Sequence, residues 1–129
     1  MKYLNNPFNM RYNPRNQWKG QVDPKNGFCQ FYSLNYGIRA AAYTVMVSYR
    51  NKGIKCYDDI IYRWAPPSEN NTLNYLCYVL PYGLSYHTAL YNKYDYVRLL
   101  TKMSEMEGNP ISPTAISRVI DLYKLDKKL

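Results

Sequence analysis

Apolar residues recur at helical spacing in five stretches of this chain and alternate with polar ones in a sixth. The strongest stripe is Leu34, Ile38, Ala41, Ala42, Val45, Met46 and Tyr49, which predicts a helix from Leu34 to about Asn51. Ser33 stands where an N-cap would, and Gly53 is the natural residue to close the helix. Ala40 to Ala42 leave room for another helix to approach closely. A shorter helix follows from Tyr57 to Ala65, with Ile60, Ile61 and Trp64 as its inner face. Its first turn holds Asp58 and Asp59, where the helix dipole favours negative charge. Pro66 and Pro67 end it, because a proline pushes the residue before it out of the helical region. Asn70 or Asn71 caps a third helix that turns Leu73, Leu76, Cys77 and Leu80 inward until Pro81. Beyond a tyrosine-rich loop, a fourth helix is predicted from about Ala89 to Glu107 through Leu90, Tyr94, Val97, Leu100 and Met103, with Gly108 closing it. Ser112-Pro113, a cap with proline at the first helical position, opens a last helix through Ile116, Val119, Ile120 and Tyr123.

The alternating stretch lies earlier. Trp18-Lys19-Gly20-Gln21 and Phe28-Cys29-Gln30-Phe31 flank a polar connection containing Asn26-Gly27, the pair that suits a tight turn. A lone hairpin is marginal in water, so this one must pack Trp18, Phe28 and Phe31 on the helices. Residues 1–17 show no period and are rich in Asn, Pro and Arg, which reads as an extended, ordered arm. The expected architecture is one mainly α domain over residues 1–129, α+β only through its hairpin. It comprises an arm at 1–17, the hairpin at 18–32 and about five helices over 33–129.

Charge narrows the class of partner. The net charge is +8, and it is uneven: Met1 to Arg63 holds ten Lys/Arg against three Asp, whereas Trp64 to Leu129 holds seven against six acidic residues. The basic half should meet something anionic, such as nucleic acid, a membrane surface or a cell-wall polymer. Sixteen tyrosines supply rings with a hydroxyl, which suit half-buried surfaces and the walls of sugar or base sites. The same richness in Tyr, Asn and Lys is also what a biased genome composition produces. Cys29, Cys56 and Cys77 are widely spaced and form no Cys-x-x-Cys pair, and His87 is the one histidine, so neither a metal site nor a cofactor is expected. No apolar run is long enough for a signal peptide or a membrane span. The protein is therefore expected to be made in the cytoplasm and delivered elsewhere by other means.

Phosphate-loop, dinucleotide, Ser-His-Asp and zinc-protease patterns are absent, which leaves carboxylates as carriers of chemistry. Glu69 lies in the corner Arg63 to Thr72, beside Trp64 and near Arg63, where it could protonate the leaving oxygen in glycan cleavage. A carboxylate just ahead of a helix is equally suited to capping, or to a salt bridge with Arg63 or Arg11. Glu105 and Glu107 read as solvated charge at a helix end, and Asn5, Asn6 and Asn9 as side chains that satisfy irregular backbone.

Three separated pieces carry a resemblance. They are Asn5-Asn6-Pro7-Phe8-Asn9-Met10-Arg11, then Trp18-x-Gly20 leading to Phe28-x-x-Phe31-x-Ser33-x-x-Tyr36-Gly37-Ile38-Arg39-Ala40, then Arg63-Trp64-Ala65-Pro66-Pro67-x-Glu69-Asn70-x-Thr72-x-x-Tyr75. Together, over about the first 80 residues, the chain resembles a family of small phage-associated proteins, virion components or lysis-linked. More distantly it is similar to glucosaminidases of the lysozyme-like superfamily. That resemblance implies a lysozyme-like fold acting on or binding peptidoglycan, as a glycoside hydrolase or lytic transglycosylase if it is an enzyme. If the chain is active, Glu69 would be the acid, oriented by Arg63 and Arg11. Asn6, Asn9, Tyr36, Trp64 and Tyr75 would line the substrate cleft, the rings stacking on sugars. The chain would then act in the virion or the host cell envelope. Those enzymes carry their catalytic glutamate on a helix ahead of the Asn-rich turn, and in this sequence Met1-Lys2-Tyr3-Leu4 stand there instead. Two alternatives follow from the same residues: a non-catalytic virion structural protein contacting other virion proteins, and a basic nucleic-acid-binding protein whose tyrosines stack on bases.

Overall fold

A computed structural model describes residues 4–129; the first three residues of the predicted arm lie outside the described region. The hairpin forms, but its first strand lies later than the alternation of Trp18–Gln21 placed it, within the connection expected to be a loop. Strand β1 (Gln21–Lys25) pairs antiparallel with β2 (Phe28–Phe31), Gln21 opposite Phe31 and Lys25 opposite Phe28, with an irregularity between Val22 and Lys25. Asn26 and Gly27 both take positive φ, as a tight hairpin turn that follows the strand twist requires. The hairpin packs through Cys29 and Phe31 onto Ala40, with Met10, Trp18 and Tyr36 at the margin, while Phe28 stays half-buried.

Five helices follow. The first, α1, runs as Leu34–Tyr43, widens into a π-helical turn at Thr44–Ser48, and regains α geometry over Tyr49–Asn51. The stripe at 34–49 predicts no such interruption. The Thr44 hydroxyl donates to the Ala40 carbonyl at 2.8 Å, the back-bonding by which a mid-helix threonine disturbs the ladder. Helix α2 (Tyr57–Trp64) stops at Ala65 ahead of Pro66. Asn71 caps α3 (Thr72–Val79), its side chain accepting from the Asn74 amide. Helix α4 is Lys93–Met106 and α5 is Pro113–Leu122, the latter capped by Ser112, with a 3-10 turn at Leu125–Lys128 behind it.

Three details depart from the periodicity. Helix α4 starts at Lys93 rather than near Ala89, because Asn92 and Asp95 form a reciprocal capping box there. Ala89 and Leu90 are instead extended, bonded to the Lys55–Cys56 segment. Tyr94 is consequently 77% exposed, and Tyr96 takes the inward position. In α3 the buried face is Thr72, Tyr75, Leu76 and Val79, whereas Leu73 and Cys77 point outward. The Thr72 hydroxyl bonds the Ala65 carbonyl across the proline corner, which fixes the rotation of the helix. Leu34, at the start of the first stripe, is also exposed.

The main core joins α1 to α5 around Ile38, Met46, Ile60, Leu76, Leu100 and Ile120, with Phe8 of the arm inserted into it. The arm can reach that depth because of Gly37: a Cβ there would overlap the Asn5 carbonyl oxygen. Among the described residues no helix is long and apolar enough to cross a membrane.

Candidate functional site

The arm is folded by its asparagines. Asn5 and Asn9 hold positive φ, which asparagine tolerates better than most residues. Asn6 is fully buried; its amide donates to the carbonyls of Met10 and Cys29, and its oxygen accepts from the Met10 amide. The arm is thereby stitched to the hairpin, and Phe8 and Asn9 are delivered to the far end of α4.

At that end stands Glu107, the residue that closes α4. Its carboxylate collects three side-chain donors. Asn9 Nδ2 reaches Oε1 at 3.0 Å, and Tyr75 Oη and Trp64 Nε1 reach Oε2 at 2.9 and 3.4 Å. The donors come from the arm, from α3 and from the last residue of α2. Asn9 also donates to the Glu107 carbonyl, and Asn109 returns a bond to the carbonyl of Pro7. A carboxylate at a helix C-terminus faces the negative end of the dipole, so this convergence of donors is what makes the position tenable. Tyr75 is only 5% exposed. Burial, and then the neighbouring Glu107 charge, push its hydroxyl far above the ordinary phenol range, which keeps it a donor. Trp64 is braced by Phe8, edge to face at 6.4 Å.

Glu107 opens onto a groove of about 790 Å³. Its wall includes Asn9, Arg11, Arg15 and Trp18 from the arm and hairpin, and Arg63, Trp64 and Glu69 from the proline corner. Thr44, Ser48 and Tyr49 also line it, so the π turn of α1, a feature often found at functional sites, faces this space. Four cations, Arg11, Arg15, Lys52 and Arg63, border it against two carboxylates, Glu69 and Glu107. A second hollow shares Arg15, Asn16, Trp18 and Ser48 with the first and adds Lys19, Arg39 and Tyr43. There the Arg39 guanidinium lies 5.2 Å from the centroids of both Tyr43 and Tyr123.

The residues singled out from the sequence therefore divide. Asn9, Arg11, Arg63, Trp64 and Glu69 line one groove. Glu69 is exposed and makes no ion pair with Arg63 or Arg11, and the cap of the next helix is Asn71 rather than Glu69. Asn6 is buried in the arm, and Tyr75 lies beneath the groove with its hydroxyl on Glu107. Tyr36 packs against Gly20 and Tyr123, away from the groove. Glu107, read from the sequence as solvated charge, is the best-held carboxylate of the site. Its one local mark in the sequence is Gly108, which closes the helix directly after it.

No known family profile matches the sequence. The chain is, however, 31% identical over 121 residues to Protein P5 of Pseudoalteromonas phage PM2, a match spanning 88% of this chain and 75% of that protein. The chain belongs to the Protein P5 family. A shared span of that length extends well past the first 80 residues that carry the motif resemblance. The Protein P5 family is phage-associated.

Proposed function

We propose that this phage-family protein binds peptidoglycan in the groove beside Glu107 and cleaves its glycan strand there. The observation that carries the reading is the setting of Glu107: a glutamate at a helix end, bonded to the Asn-rich arm, beside an indole, at the edge of a cationic groove. The lysozyme-like resemblance implies a catalytic glutamate on a helix ahead of an Asn-rich turn. Here a helix from the opposite end of the chain brings one to that turn, so Glu107 replaces Glu69 as the acid. To act as an acid, Glu107 must first take up a proton from solvent on an oxygen that gives up one acceptor contact, and the 3.4 Å bond from Trp64 is the longest of the three; that proton then passes to the leaving oxygen. Glu69 lines the same groove and serves as the second carboxylate or positions water. Arg11, Arg15, Lys52 and Arg63 hold the anionic wall polymer.

The test is turbidity clearing and co-sedimentation with purified peptidoglycan. Wild type is expected to clear, and Glu107→Gln to lose at least ~100-fold of the rate, the usual worth of a positioned acid. Glu107→Gln should still co-sediment, and ~1 M salt, where the Debye length falls to about 3 Å, should release it. No clearing by wild type removes the cleavage reading, and no salt-sensitive sedimentation removes the binding one.

A second reading rests on the same carboxylate. Glu107 joins the arm, α2, α3 and α4 through its contacts, which is also what a non-catalytic virion component needs to hold its shape. That reading expects the protein in purified particles by mass spectrometry, with no glycan turnover.

A further inference from the structure

Away from the groove, the start of α2 meets the loop that follows α3. The Tyr57 amide donates to the Thr88 carbonyl at 3.1 Å, the Asp58 amide to the Tyr86 carbonyl at 3.0 Å, and the Leu90 amide to the Lys55 carbonyl at 2.8 Å. Cys56 and Ala89 face one another as an antiparallel bridge. Main-chain bonds therefore fix two segments side by side, about thirty residues apart in sequence. Between them they bring Cys56, Asp59 and His87 together, with the thiol, carboxylate and imidazole atoms all within 4.8 Å of one another. His87 Nδ1 is 2.9 Å from Asp58 Oδ1 and 4.0 Å from Asp59 Oδ2.

We propose that Cys56, Asp59 and His87 bind a divalent zinc ion, with water completing the coordination at this exposed position. Thiolate, imidazole and carboxylate are the three ligand types zinc takes. With bonds of about 2.0–2.3 Å in a tetrahedron, neighbouring ligand atoms lie roughly 3.3–3.7 Å apart. The Asp59 carboxylate lies 4.0 Å from His87 Nδ1 and all three ligand atoms lie within 4.8 Å of one another, so the set needs to close by only about 1 Å to hold the ion. Counting cysteines gave no zinc site because the usual pattern needs several thiols. Here one thiol and one imidazole act with one carboxylate that the start of a helix already favours. The amides of Tyr57 and Asp58 are satisfied by the loop, and that of Asp59 by the Asp58 carboxylate, so the thiol and the imidazole are not needed as caps. The ion would clip the loop 81–88 to α2, the helix that carries Arg63 and Trp64 into the groove.

The test uses the full chain, stripped with a chelator and kept in a thiol-free reductant. Titration with cobalt(II) should give one equivalent of binding with a thiolate-to-cobalt charge-transfer band, which zinc then displaces. Zinc should also raise the melting temperature. Cys56→Ser should abolish the band and weaken zinc binding at least tenfold, and His87→Ala should weaken it at least tenfold as well. Cys77→Ser, at an exposed thiol outside the cluster, should change neither. All three positions lie at or near the surface, and circular dichroism verifies that each variant is folded. No uptake of either metal by wild type overturns the proposal. So does a charge-transfer band that survives Cys56→Ser, or zinc affinity that is equal in wild type and His87→Ala.

Discussion

Replacing Tyr75 with phenylalanine isolates the contact on which the site depends. The ring is 5% exposed and its hydroxyl donates to Glu107 Oε2 at 2.9 Å, so Tyr75→Phe deletes one hydrogen bond and leaves the packing volume almost unchanged. A hydrogen bond to a charged partner contributes about 1.5–3 kcal/mol. Glu107 would keep Asn9 and Trp64, so no carboxylate oxygen is orphaned and the cost should stay within that range. At about 4 °C per kcal/mol for a chain of this size, the melting temperature should fall by about 6–12 °C. The assay is urea unfolding of wild type, Tyr75→Phe, Glu107→Gln and the double variant. An unchanged m-value with a lowered midpoint would show that stability alone has moved. The cycle should give a coupling of at least about 1 kcal/mol between the two positions. Additive effects, or a loss below about 0.5 kcal/mol for Tyr75→Phe, would refute the account of Glu107 as the residue that binds the arm and α3 to the end of α4.

Two further outcomes follow from other parts of the fold. Gly37→Ala should destabilise by about 3 kcal/mol, the upper end for overpacking, because the new methyl meets the Asn5 carbonyl rather than a yielding side chain. Gly53→Ala, at positive φ with open space around it, should lose only about 1 kcal/mol, and comparable losses at the two glycines in urea would contradict the close approach of the arm. Tyr49 links stability to alkaline pH: burial raises its phenol from 10 to about 12, although Arg63 pulls the other way. The proton is held more tightly in the folded state, so this stabilisation is complete below pH 10 and is lost as pH rises through about 12. Two pKa units correspond to about 3 kcal/mol. Urea unfolding of Tyr49→Phe beside wild type should show wild type losing about that much more between pH 10 and 12, and parallel pH profiles would exclude the assignment.

The helices and hairpin were legible because burial follows period. Ile38 to Tyr49 face inward as their spacing required, and the caps at Asn71 and Ser112 stand where side-chain chemistry put them. Misplaced boundaries trace to polar bonds that override period. Asp95 reaches back to the Tyr91 and Asn92 amides and delays α4, and Thr72 grips Ala65 and turns α3 away from Leu73. Part of the groove wall was readable too: Asn9 and Arg11 in the irregular arm, and Arg63, Trp64 and Glu69 around the prolines that end α2. Tyr36 was not separable from its neighbours by such signals; Gly20 and Tyr123 claim its ring.

Glu107 escaped for a more instructive reason. A charged residue in the last turn before a glycine has the local pattern of a solvated helix end, and nothing within α4 distinguishes Glu107 from Glu105. Their environments do. Glu105 accepts from Tyr78 at the surface and pairs with Lys102, whereas Glu107 receives donors from residues 98, 43 and 32 positions away in sequence. Such a site exists only once the arm has folded back across the chain, so its information lies in the partners: Asn9 at positive φ, Trp64 ahead of two prolines, Tyr75 with a buried hydroxyl. Each of those had been singled out on its own account. A buried tyrosine hydroxyl and an indole N–H both need an acceptor, as buried polar groups do. Glu69, just ahead of α3 and exposed, meets neither donor, while Glu107 meets both and Asn9 as well. The satisfaction of those donors, more than proximity to the proline corner, is what selects Glu107 as the carboxylate around which the site is built.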